Sequence, residues 1–100
     1  MEIATLTEDR ARKDYLTGQF YLRRRFRDSA ILYFLDVVER YPDTKAARLS
    51  YLGLLDAYRA IGYTEEAAEV CRTMQQRYSN DAEAQQACAG FAQVADSSGA

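Results

Sequence analysis

Two stretches of this chain repeat one another at a distance of 37 residues. Gly18-Gln19-Phe20-Tyr21, Ser29-Ala30 and Arg40-Tyr41-Pro42-Asp43 are answered by Leu55-Asp56-Ala57-Tyr58, Glu66-Ala67 and Arg77-Tyr78-Ser79-Asn80. Tyr21, Ala30, Arg40 and Tyr41 thus recur as Tyr58, Ala67, Arg77 and Tyr78. A period of this size with helical patterning inside it belongs to stacked helical units, which bury their apolar faces only against their neighbours. The work expected of such an array is binding.

With 100 residues, 48% of them apolar, the chain can bury the core of one domain and no more. Thirteen basic and 15 acidic residues leave a net charge of −2, so nucleic acid is not an expected target and any charge-based partner must read a local patch. No apolar run approaches the roughly 18 residues of a membrane span. There is no histidine and there are two cysteines, Cys71 and Cys88. That inventory excludes the usual zinc site and any Cys/His or Ser/His nucleophile pair, and no cofactor motif is present. Asp36, Asp56, Glu65 and Glu66 are spread over helix surfaces and caps instead of forming a catalytic cluster, so no catalysis is expected.

Five helices follow from the punctuation. Thr7-Glu8-Asp9 reads as the first start and Asp28 as the cap of the second helix, which ends at Tyr41 because Pro42 disfavours helical geometry before it. Asp43 or Thr44 caps a third helix that stops at Gly62; Thr64-Glu65-Glu66 opens a fourth, to about Tyr78. Asp81 starts a fifth, alanine-rich helix to about Val94. The expected domain is therefore 1–95, with repeats over about 8–42 and 44–79, a closing helix over about 81–95 and a tail at 96–100. Gly18, Gly53, Ala30 and Ala67 mark close helix approaches, while Tyr21, Phe34, Leu54, Tyr58 and Met74 supply bulk.

This order of small and large residues resembles the tetratricopeptide repeat. Gly18, Tyr21, Ala30, Phe34 and Pro42 fit its pattern in the first unit, and Tyr51, Leu54, Tyr58, Gly62 and Ala67 in the second. The usual period is about 34, so the extra residues between Pro42 and Tyr51 lengthen the third helix. The fold expected is all-α, a helical-hairpin solenoid of two repeats plus a closing helix. Tyr15 to Tyr21 followed by Leu22-Arg23-Arg24, then Glu39-Arg40-Tyr41-Pro42-Asp43-Thr44, Asp56-Ala57-Tyr58-Arg59 and Glu66-Ala67, narrow the likeness. Over residues 10 to 80 the chain resembles the C-terminal half of the outer-membrane assembly lipoproteins, the D subunits of the Bam complex. That resemblance implies a scaffold at the periplasmic face of the outer membrane, lipid-anchored through its parent protein. It also implies docking on a POTRA domain of the barrel subunit (BamA), with other Bam lipoproteins as further partners. The alternative is a periplasmic or cytosolic repeat adaptor that takes a peptide in its concave groove.

Candidate contact residues fall into two sets. Arg23, Arg24 and Arg27 suit bidentate pairing with carboxylates, although cations also simply favour a helix C-terminus. On the second helix the stripe Ala30, Phe34, Val37, Tyr41 faces the core, which places Tyr33, Asp36 and Arg40 on the opposite side as a protein-binding stripe. The groove would be lined by Tyr15, Gln19 and Leu22 from the first helix and Leu52, Asp56 and Arg59 from the third. Cys71 and Cys88 can face each other across a helix contact, where a disulfide would be worth roughly 3 kcal/mol. Because both positions are already explained as core, unpaired buried thiols are the favoured expectation.

Overall fold

The computed structural model describes the backbone of residues 2–90 and the side chains of residues 6–90. It contains α1 (Glu2–Arg23), α2 (Arg27–Arg40), α3 (Lys45–Ile61), α4 (Thr64–Arg77) and α5 (Ala82–Ala87), with no strand among the described residues. α1 with α2 and α3 with α4 form two helical hairpins, and α5 packs on α4, the tetratricopeptide-like arrangement expected. α5 ends at Ala87 with Cys88 as its C-cap, short of the continuous helix to about Val94 that was expected; Val94 itself and the tail at 96–100 lie outside the described residues. Helix ends keep the sequence period: α2 and α4 both have 14 residues and start 37 apart, at Arg27 and Thr64, and α3 and α5 start 37 apart, at Lys45 and Ala82. α3, at 17 residues, is three longer than α2 and α4.

Local chemistry explains these ends. Thr44 caps α3, its hydroxyl accepting from the Ala47 N–H at 3.0 Å, and Asp81 caps α5 by accepting from the Ala84 N–H at 3.1 Å. The turns α1–α2 and α3–α4 are the same motif. Phe26 N–H donates to the Tyr21 carbonyl and Arg25 N–H to Leu22, just as Tyr63 N–H donates to Tyr58 and Gly62 N–H to Arg59, which closes both helices with a residue in the left-handed region.

Two expected starts are corrected. α1 begins at Glu2, not at Thr7, because nothing in Glu2-Ile3-Ala4-Thr5-Leu6 breaks a helix. Glu8 instead reaches α3, accepting from the N–H groups of Lys45 at 3.2 Å and Ala46 at 3.3 Å. Asp28 does not cap α2: the cap is Phe26, without a side-chain hydrogen bond, since the backbone turn that closes α1 delivers the chain into α2 one residue before Asp28 could act. Asp28 lies in the first turn, where its charge meets the helix dipole.

Phe34, fully buried, is the wedge that joins the first three helices. A Cβ on Gly18 of α1 would stand 2.6 Å from one edge of its ring, and a Cβ on Gly53 of α3 would stand 2.6 Å from the other. Tyr15 packs against the same ring, centroids 5.9 Å apart. From there the main core runs through Ala30, Leu54, Tyr58, Ala67 and Met74 to Ala84 of α5; a smaller cluster of Ala11, Val37, Ala46 and Ala47 sits between α1, α2 and α3.

Cys71 and Cys88 form a disulfide between α4 and the end of α5, with Cα atoms 5.5 Å apart. This corrects the expectation of free thiols: burial in the core and pairing are compatible, because Cys71 faces the side of α4 on which α5 lands. α5 is only six residues long, so such ties matter. Arg48 of α3 adds another, pairing with both carboxylate oxygens of Asp81 and donating to Glu83 at 2.7 Å. That fork holds the Asp81 carboxyl at about 2, well below its ordinary range, helped by the Ala84 N–H, and raises the Arg48 guanidinium further.

Candidate protein-docking surface

The α1–α2 end of the molecule carries a continuous run of rings. Tyr33 of α2 stacks on Tyr21 of α1 at 5.7 Å and 18°, and Tyr21 in turn meets Phe20 edge-on at 5.4 Å and Phe26 at 6.4 Å. Arg24 lies over the Phe20 ring at 3.7 Å, a cation–π contact. Phe26 is 60% exposed, Phe20 47% and Leu32, on the solvent side of α2, 69%. Large apolar groups exposed side by side with arginines are the composition of an interface core and its rim.

Tyr33 and the arginines, read from the sequence as two separate sets, are thus brought together by Tyr21 and Phe20. Tyr33 does not stand free in water: one face is taken by Tyr21, leaving it 36% exposed. Asp36 and Arg40 continue along α2 as an ion pair of 3.6 Å, and Arg40 also approaches the Tyr41 ring at 5.7 Å. Arg23, Arg25 and Arg27 have no ion pair among the described residues, and Arg24 donates to the Phe20 carbonyl. Phe20 and Phe26 were not among the contact residues expected from the sequence. Their signal was there, an aromatic at each end of the arginine run from Phe20 to Phe26, but the pattern alone does not tell an exposed ring from a buried one.

The groove residues are spent differently. Tyr15 is half-buried against Phe34 and its hydroxyl accepts from Gln19 Nε2 at 2.8 Å, so both are tied to α1 and the core. Leu22 and Leu52 pack on the main core, Asp56 is exposed, and Arg59 donates to the Ala87 carbonyl of α5 at 3.0 Å. A separate cleft of about 420 Å³ opens between α1 and α3, lined by Tyr15, Leu16 and Leu49 with Glu8, Arg12 and Lys45 at its rim.

A sequence model of the YfiO outer membrane lipoprotein family matches residues 1–74. The chain belongs to that family. Among curated relatives of this lipoprotein family, the outer membrane protein assembly factor BamD of Vibrio cholerae serotype O1 is 38% identical over 65 residues. The match takes in 65% of this chain and 27% of the relative, so the chain spans about a quarter of that protein's length. No solved structure matches the chain. The residues shared with the family model include the whole ring-and-arginine surface on α1 and α2 and stop within α4. No helix among the described residues is long and apolar enough to cross a membrane.

Proposed function

We propose that this chain is a non-catalytic scaffold in outer-membrane protein assembly, docking through its α1–α2 end on a POTRA domain of the barrel subunit. The observation that carries the reading is the surface of Phe20, Tyr21, Phe26 and Tyr33 flanked by Arg23, Arg24 and Arg27, in a chain whose relative is an assembly factor. The central tyrosine is held by stacking before any partner arrives, so little side-chain freedom is lost on binding. The arginines at the rim would steer an acidic face and fix its orientation. The periplasm at the outer membrane is the compartment that fits, because a disulfide such as Cys71–Cys88 persists where thiols are oxidised.

Surface plasmon resonance against the isolated POTRA domains tests this. Tyr33→Ala is expected to weaken binding by about 1 kcal/mol or more, roughly fivefold, as loss of a central aromatic anchor does. Arg27→Glu is expected to slow association in a salt-dependent way with the melting temperature unchanged. Unchanged binding in both variants would remove the α1–α2 end as the docking surface. Absence of binding by the unaltered chain would instead favour the second reading, a peptide adaptor, for which the 420 Å³ cleft between α1 and α3 is the site with suitable apolar walls and charged rim.

A further inference from the structure

The two turns that join the helices of each hairpin share one backbone path, but the residue at the left-handed position is different. Gly62 closes α3 at φ 78°, in the left-handed region that glycine enters freely. Its counterpart 37 residues earlier is Arg25, at φ 67°, the one non-glycine residue with positive φ among the described residues. The two hydrogen bonds that close each turn are the same, Arg25 N–H to Leu22 and Phe26 N–H to Tyr21 matching Gly62 N–H to Arg59 and Tyr63 N–H to Tyr58, so the backbone favours glycine in both places. A side chain with a Cβ sits there at a steric cost, and strain of this kind is kept where the side chain has work outside the turn.

The surroundings of Arg25 say what that work is. A cleft of about 350 Å³ is bordered by Arg25, Phe26, Arg27, Asp28, Ser29 and, from the end of α3, Ile61. Phe26 is 60% exposed, Ile61 is half-buried, and neither Arg25 nor Arg27 has an ion pair among the described residues. The cleft therefore offers two free guanidinium forks beside an apolar wall, against a single acid, Asp28. A guanidinium fork matches a carboxylate with two parallel hydrogen bonds.

We propose that Arg25 is a binding anchor held in a glycine position: it takes a carboxylate from an acidic segment of a partner protein, whose neighbouring apolar side chain lies against Phe26 and Ile61. A protein is favoured over an anionic lipid or free phosphate because the cations line a cleft with an exposed ring at its mouth, whereas a lipid surface asks for spread, flexible charge. The inference rests on the docking reading above, and it adds to it a residue, Arg25, and a defined contact in the cleft beside Phe26 and Ile61.

Arg25→Gly separates its two consequences, since it relieves the backbone and removes the fork at once. The expected result is a variant that melts higher than the parent yet binds the POTRA domains at least fivefold more weakly, with a shallower dependence of affinity on salt. Arg25→Lys, which keeps the charge without the fork, is expected to fall between the two. Higher stability with unchanged affinity would overturn the proposal. If the parent chain does not bind the POTRA domains at all, the docking reading fails and a second probe decides this one. The probe is a synthetic Glu-Glu-Phe-Glu-Glu peptide followed by NMR: shifts at Phe26 and Ile61 that Arg25→Gly abolishes support the anchor, and their absence in the parent overturns it. Capture of the parent by phosphatidylglycerol vesicles, lost in Arg25→Gly, with no peptide response, would overturn it in favour of a lipid.

Discussion

Gly53→Ala adds one methyl group where the structure has no room for it. The new Cβ would stand 2.6 Å from two ring atoms of Phe34, against about 3.5–4.0 Å for an ordinary carbon contact, so the ring or α3 must give by about 1 Å. The ring cannot retreat, because its opposite edge already faces the backbone of α1 at Gly18 with the same clearance. Relief must come from α3 moving off α2 or from Phe34 leaving its rotamer, which places the overpacking cost at the upper end of the usual range, about 3 kcal/mol. Alanine's better helix propensity returns about 1 kcal/mol. The net loss is about 2 kcal/mol, a fall in melting temperature of about 8–16 °C for a domain of this size. Thermal unfolding followed by circular dichroism measures it. Phe34→Leu in the same chain should absorb the methyl, so that Gly53→Ala costs at least about 1 kcal/mol less in that background. A Gly53→Ala variant that melts at or above the parent would refute the clamp.

Reduction of Cys71–Cys88, or the double change to alanine, is expected to cost about 3 kcal/mol for a loop of this size, seen as a drop of about 12–24 °C with reductant present. Equal melting with and without reductant would show that the remaining ties of α5 suffice. Asp81 carries a pH signature: its folded carboxyl is held down to about 2 from an ordinary 3.8, so its contribution is complete above the ordinary value and is lost as pH falls through about 2. The melting difference between the parent and Asp81→Ala is therefore expected to be constant above pH 5 and to shrink between pH 4 and pH 2. A difference that does not change over that interval would mean Arg48 is not its partner in solution.

Much of the fold could be read from residues whose constraint is local. Gly62 stops α3 because a left-handed residue must close it, Pro42 forbids continuation of α2, and Thr44 and Asp81 cap the helices that follow them. The close approaches at Gly18 and Gly53 were legible too, since small residues opposite a large one at helical spacing leave few other readings. What escaped depends on distant partners. Glu8 looks like part of a helix start until α3 is placed beside it, and Asp28 looks like a cap until the turn at Arg25 is seen to deliver Phe26 first. The cysteines illustrate the same limit: two core positions on successive helices do not reveal whether their Cβ vectors converge. At the candidate surface, Phe20 and Phe34 are the same residue type, and only the packing of α1 against α2 and α3 decides which is exposed.

The shared interval of the helix ends makes whole units exchangeable. Excision of residues 44–80 would join Asp43 to Asp81, so α2 would be followed by a helix whose cap stands where Thr44 stands now. Gly90 would then take the sequence position of Gly53, three residues beyond the present end of α5 at Ala87. Duplication of the same block would be equally silent at the joints. An insertion or deletion of any other length would move a cap out of step with the helix it closes, so only whole units preserve the spacing of the caps.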